Sequence, residues 1–329
     1  MARTEAPAWP AVRGRPCVGG EAHRAFGLTI AADFALPGMV PGDHGAVDAA
    51  ISLGTPEDVE MAWAAREPEG AWRSVFGDGE IFSGERAADG SYRLAYGKEA
   101  LFFVSADAGT ILCGPEDPQD VAWQRVLLDA VLMIASVAAG FDLLHAGAVH
   151  TSAGVVAVAA QSGGGKSSLV AELVRRGYPL FCDDVLVLDR GPDGPCSHPG
   201  PPLMNVPVSP ERFPVGEIGS VLGTFGDEAW VAVDHVASGV RPLAAVCLLE
   251  RAPQVTTQVQ RLAPSPLHLR AHVYPLRVPR ERDRRRFELL ADLVEAVPVL
   301  RLCAGPEVSP SGVADMVERV VETKLESAA

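Results

Sequence analysis

From Pro118 to Phe141 the chain is almost continuously apolar, and the pattern of hydrophobic positions differs on the two sides of that stretch. Upstream, between Arg24 and Gly114, short apolar runs are broken by Gly, Pro and Asp. Examples are Phe26-Gly-Leu-Thr-Ile-Ala, Ala50-Ile-Ser-Leu, Tyr92-Arg-Leu-Ala-Tyr, Ala100-Leu-Phe-Phe-Val-Ser and Thr110-Ile-Leu-Cys. This spacing predicts short strands and a β-rich N-terminal module over 23–140 that ends in an apolar helix. The preceding residues 1–22, rich in Pro, Gly and Ala, are expected to form a loose arm.

Downstream, helix and strand patterns alternate. Ala148-Val149 and Gly154–Ala160 predict strands, and the second is the unbroken apolar run of a strand buried on both faces. Residues 167–176 follow helical spacing through Leu169, Leu173 and Val174, with Gly177 placed to end the helix. Leu180–Leu188 is another apolar run, interrupted by Asp183 and Asp184. Residues 190–202, dense in Pro and Gly, are expected as a loop. Leu243–Leu249 predicts a further buried strand, and 281–296 and 311–325 predict amphipathic helices. Such alternation implies an α/β domain over 141–329.

Composition narrows the function classes. The net charge of −14 disfavours a nucleic-acid binder, which needs surplus Lys and Arg against phosphates. The stretch 121–145 contains Arg125, Asp129 and Asp142, and its uncharged run 130–141 is shorter than the roughly 20 residues of a membrane span. A buried helix is expected there, with no membrane as partner. The six cysteines form no CxxC pair and no zinc spacing with His, so reduced thiols are expected. The N-terminus has no apolar core of a secretory signal, and a cytoplasmic location is expected.

The strongest chemical pattern is Ala160-Gln161-Ser162-Gly163-Gly164-Gly165-Lys166-Ser167, which follows a predicted strand and opens a predicted helix. This is the context of a phosphate-binding loop (Walker A). Its amides point at phosphates, its Lys reaches the β and γ phosphates of ATP, and the next Ser ligates Mg²⁺. The usual first glycine is replaced by Ala160. Nucleotide contacts are expected from Ala160, Gln161, Ser162, Gly163, Gly164, Gly165, Lys166, Ser167 and Ser168, with Ser167 on the metal. Asp183-Asp184 follows the lysine by 17 residues between apolar strand residues, where two carboxylates are costly without a cation. Their side chains point opposite ways unless the backbone bends, which suggests two different jobs.

Together these elements resemble the C-terminal domain of HPr kinase/phosphorylase and its stand-alone kinase-like relatives. The matching residues are His145-Ala146-Gly147-Ala148-Val149, the Gly-rich loop, Arg176-Gly177 closing its helix, and Phe181-Cys182-Asp183-Asp184-Val185. The resemblance is strong over 143–190 and weak over 240–305. It implies a P-loop kinase fold with a mixed central sheet, also found in phosphoenolpyruvate carboxykinase. It implies that Asp183 is the general base, that Asp184 joins Ser167 on Mg²⁺, and that His145 sits near the transferred phosphate, with Lys166 completing the catalytic set. The two aspartates could exchange roles.

This chain also departs from the family. It has Ser168 where HPr kinases carry Glu, and Glu217-Ile218-Gly219 stands in for a Glu-x-Arg-Gly metal motif but lacks the Arg. The expected activity is transfer of the ATP γ-phosphate to a hydroxyl, Ser or Thr of a peptide or protein, including a precursor peptide in a biosynthetic pathway. The alternatives are an ATPase, a nucleotide-binding adaptor and a kinase for a small alcohol. Arg241 and Arg251, and the Arg-rich stretch 277–286, are further candidates for contact with phosphate or an acidic peptide. A homo-oligomer is compatible with the resemblance.

Overall fold

A computed structural model describes residues 21–42, 46–75, 81–192, 194–208, 215–253, 255–274 and 280–328. Most of the expected arm, Cys17, and residues 277–279 of the Arg-rich stretch lie outside the described residues, and Ala22 already belongs to the first strand. The chain divides into two units, one ending at Gly140, the other running over Phe141–Val221 and from Ala229 onward. The segment Leu222–Glu228, inside the range expected for the second domain, groups with the first unit.

In the first unit the short apolar runs become strands, some alternating buried and half-buried residues and others buried at successive positions. They are β1 (Ala22–Ala25), β2 (Leu28–Ala32), β3 (Ala49–Leu53), β4 (Pro68–Val75), β5 (Ile81–Ala87), β6 (Tyr92–Tyr96), β7 (Ala100–Val104) and β8 (Thr110–Pro115). They form one sheet in the order β1-β2-β3-β8-β7-β6-β5-β4. The β4–β5 hairpin was not legible as apolar runs. Neither was helix α1 (Pro56–Trp63), which a capping box starts: Asp58 N–H donates to Thr55 Oγ1 and Thr55 N–H donates to Asp58 Oδ2. The long apolar stretch is a helical run from α2 (Ala122–Val126) through a π-turn at Leu127–Val131 to α3 (Leu132–Ala139). By length and composition Ala122–Ala139 could cross a membrane, and 78% of it is buried. Its one cation, Arg125, is satisfied within the unit by Glu228 at 2.8 Å and by the Phe225 ring.

The second unit is a mixed α/β structure. Its strands are β9 (Asp142–His145), β10 (Gly147–Thr151), β11 (Gly154–Ala160), β12 (Leu180–Cys182), β13 (Val185–Gly191), β14 (Gly194–His198), β15 (Leu203–Pro207), β16 (Gly219–Phe225), β17 (Glu228–Val233), β18 (Arg241–Arg251), β19 (Gln258–Arg261) and β20 (Val299–Ala304). The hairpin of β16 and β17 spans the segment that groups with the first unit. The large sheet runs β12-β10-β11-β18-β14-β13-β9, and β20 adds to β18 with β19 outside it. Strand β18 is long enough to pair at its start with β14 and further on with β20, while β11 lies parallel along its other edge. Residues 190–202, expected as a loop, contain β14: the Pro and Gly there make the turn of a hairpin with β13. A separate small sheet has the order β15-β17-β16.

Helices α4 (Lys166–Arg175), α5 (Leu267–Arg270), α6 (Arg280–Ala296) and α7 (Pro310–Ala328) complete the unit. Period-two alternation assigns the two faces of the large sheet. Val156, Val158 and Ala160 of β11 join a core with α4, α7, β15 and β17. Val155, Ala157 and Ala159 join a second core with α6, through Leu289, Leu290, Leu293 and Val294. Burial on both faces explains why β11 is apolar at every position. It also fixes the end of β11, and the turn that follows, within the sheet.

Candidate functional site

The Gly-rich turn leaves the end of β11. Gly164 N–H donates to Gln161 O at 2.8 Å, closing a β-turn whose third residue, Gly163, has φ 74°. Gly165 has φ 88° and is the N-cap of α4, with no side chain capping the helix. Side chains other than Gly rarely adopt such backbone angles, which is the physical demand behind the sequence pattern. The first-turn amides of α4 are therefore not closed off by a capping side chain, and together with the helix dipole they suit an anion. Ala160 at the first motif position lies within β11, opposite Leu249, and is absent from the described residues with positive φ. Alanine replaces glycine there without conformational cost. Gln161 and Ser162 are exposed, Ser167 and Ser168 are half-buried on the first turn, and Lys166 is buried.

The two aspartates sit in the break between β12 and β13. Val185 N–H donates to Asp183 O at 2.6 Å, a γ-turn centred on Asp184 at φ 61°. Asp184 is one of three described residues other than Gly with positive φ, a strained conformation that Asp tolerates better than most. The bend separates the two side chains. Asp183 Oδ2 accepts the Asn205 N–H at 2.9 Å from β15. Asp184 Oδ1 accepts from the Lys166 ammonium and lies 3.1 Å from His145 Nε2. His145 is the last residue of β9 and pairs with Val185, so sheet register delivers it to the turn. The Tyr274 hydroxyl lies 3.2 Å from Asp184 O and 3.4 Å from Asp184 Oδ2, and its ring is tilted against His145 with centroids 5.5 Å apart.

Charge is concentrated at Lys166 and Asp184. Burial alone would pull the Lys166 ammonium down, but the carboxylates of Asp184 and Asp183 outweigh it and hold its pKa above the ordinary lysine value. Burial would raise Asp184, yet the Lys166 ammonium and the His145 contact hold its carboxyl well below the usual carboxylate range. The Asp184 side chain is still 52% exposed, against 7% for Lys166, so the carboxylate also faces solvent.

The turn, Lys166, Asp183, Asp184 and His145 thus come together as the sequence grouped them. Arg251, at the end of β18, also reaches the turn: its Nε lies 3.9 Å from where a Cβ on Gly165 would stand, and its Nη1 donates to Gly305 O and Val308 O. Arg241 starts the same strand, roughly 33 Å away along it, and is not part of the site. Glu217 pairs with Arg175 at the far end of α4 and is likewise outside it. In the described part of the Arg-rich stretch, Arg286 pairs with Asp142 and Arg284 with Glu288, fixing α6 to β9 and to itself. Tyr274 and the Asn205 amide were missed, since no local pattern marks either. Among the described residues no group of three or more His, Cys, Asp or Glu side chains is placed to hold a metal. One exposed-edge carboxylate and a first-turn serine suit Mg²⁺, which is commonly held by one or two protein oxygens together with substrate phosphates.

A scan against protein-family models finds no match, and a search of curated proteins finds no relative. Among solved structures, the HPr(Ser) kinase/phosphatase from Coxiella burnetii is similar to this chain at 13% identity, covering 57% of this chain and 99% of that one, with a TM-score of 0.32. A likeness this distant carries no argument about the chemistry, which rests on the geometry above.

Proposed function

We propose that the second unit is an ATP-dependent phosphotransferase that moves the γ-phosphate to a hydroxyl, the Ser or Thr of a peptide or protein. The observation that carries this reading is the buried Lys166 ammonium at an uncapped helix N-terminus, shared with an ionised Asp184 that also holds His145. The amides from Gly163 to Ser167 hold the phosphate tail, and Lys166 balances its charge. Ser167 and Asp184 are the residues that would hold Mg²⁺. When bound, that ion neutralises charge on the β and γ phosphates. The work left to the chain is mainly positional and electrostatic, because phosphoryl transfer passes through a loose transition state.

The two carboxylates divide the remaining roles. A carboxylate held as acidic as Asp184 is a poor proton acceptor and a good partner for cations. We therefore assign the hydroxyl proton to Asp183, which the Asn205 amide orients through Oδ2. His145 stands beside Asp184, and on this reading it sits near the transferred phosphate. The reading places the chain in the cytoplasm, where ATP is supplied.

The test is transfer of labelled phosphate from ATP to peptides encoded next to this protein. Lys166→Ala should abolish turnover. Asp183→Asn should keep ATP binding and lower transfer by about 10²–10⁴-fold. Near wild-type transfer by Asp183→Asn removes the base assignment. Phosphate release at one rate with and without acceptor makes the chain a hydrolase, and bound ATP with no product makes it an adaptor.

A further inference from the structure

Asp184 presents two oxygens with separate partners. Oδ1 meets Lys166 and His145, and Oδ2 lies beside the Tyr274 hydroxyl, which also reaches the main-chain oxygen of the same residue. One phenol thus touches both the backbone and the side chain of the residue at positive φ. Apart from these Oδ1 contacts with Lys166 and His145, little else keeps Asp184 there. Its γ-turn is closed by a single i-to-i+2 hydrogen bond, and half of its side chain is in water. A strained residue persists when surrounding contacts over-determine it. Tyr274 comes from a distant part of the chain, just after α5, where Tyr274 N–H donates to Leu143 O and His272 O accepts the His145 N–H. The same segment therefore ties down β9, the strand that carries His145.

We propose that Tyr274 is a positioning residue for the phosphate site: its hydroxyl clamps Asp184 in the γ-turn with Oδ1 turned to Lys166, and its ring sets the face of His145. The proposal rests on the phosphotransferase reading only for its consequence, the readiness of Asp184 to take a metal ion with ATP. The clamp itself is a property of the free protein. Without the hydroxyl, Oδ2 and the main-chain oxygen of Asp184 lose their shared restraint, and the turn is held only from the Oδ1 side by Lys166 and His145 and by its own hydrogen bond. The ring contact with His145 and the fold remain, so Tyr274→Phe separates the clamp from general packing.

Two measurements test it. In the free protein, amide hydrogen exchange at Val185, whose N–H closes the γ-turn, should lose protection in Tyr274→Phe while strands β11 and β18 keep theirs. In the ATP complex, calorimetric titration with Mn²⁺ in place of Mg²⁺ should show metal affinity about 10-fold weaker, with metal-free ATP affinity unchanged. A general loosening of the unit would weaken both affinities and is thereby separated from a clamp. Unchanged Val185 exchange overturns the proposal, as does unchanged metal affinity in a variant that still binds ATP. Failure of the wild-type protein to bind ATP with metal counts against the phosphotransferase reading, and the Val185 exchange then decides the clamp.

Discussion

Lys166 is an ammonium with 7% of its side chain exposed, and it stays charged because two carboxylates face it. The signs of the two shifts define where that pairing operates. Asp184, held below the ordinary 3.8, contributes stability that is present at neutral pH and is lost only as pH falls through its folded-state value. Lys166, held above the ordinary 10.5, contributes below that value and loses it only as pH rises through the folded-state value. Across about pH 5 to 9 neither group changes state. Asp184→Asn should therefore lower unfolding free energy by about 1–2 kcal/mol, less than for a fully buried pair because the Asp184 side chain is half exposed. Denaturant melts at neutral pH should show this difference. A difference that is absent at neutral pH would show that the pairing is not the one described.

Helix α4 is the element that joins the site to the core. Its first turn makes the cradle proposed for phosphate, Leu169, Val170, Leu173 and Val174 are buried, and Arg176 is its C-cap, followed by Gly177 at φ 96°. Arg176 fixes this end to α7 through Glu318 at 2.6 Å and Asp315 at 2.8 Å, and also holds the buried Glu172. Replacing Arg176 with Ala leaves Glu172 with Arg175 and removes the ionic link between the helices, while their shared core remains. The expected cost is about 1–3 kcal/mol, read as a lower urea midpoint. ATP affinity should be unchanged, because ten residues of helix, roughly 15 Å, separate Arg176 from the cradle. Weaker ATP binding at full folding would mean that the far end of α4 sets the geometry of its start.

At the scale of the molecule, both units are built on sheets, and the described cysteines report on how closely these are packed. Cys113, Cys182, Cys196, Cys247 and Cys303 are all free and buried. Burial pushes the Cys247 thiol up to about 12, and pushes Cys182, beside the candidate site, well above its ordinary range. A thiol reagent at neutral pH should leave these five unmodified in the native protein and reach all of them in denaturant, as peptide mapping would show. Fast native modification of Cys182 would mean that the sheet beneath Asp183 opens, and that the site is less rigid than the proposed phosphate positioning requires.

What was legible in the sequence was whatever depends on neighbouring residues alone. The Gly-rich turn could be read because positive φ at Gly163 and Gly165 is a demand of the local backbone. Strands β6, β7, β8 and β11 and helices α4, α6 and α7 could be read from periodicity. Strand β14 and the β4–β5 hairpin could not, because Gly- and Pro-rich composition does not distinguish a loop from the turn of a hairpin. The adjacent aspartates suggested two roles, but which one meets Lys166 depends on a γ-turn held by distant contacts. Tyr274 meets Asp184 across 90 residues of chain, and His145 meets it across 39. Sequence patterns record which backbone a short segment prefers. Pairings over such distances are set by sheet register and by the loops it brings together, and only the folded chain determined those.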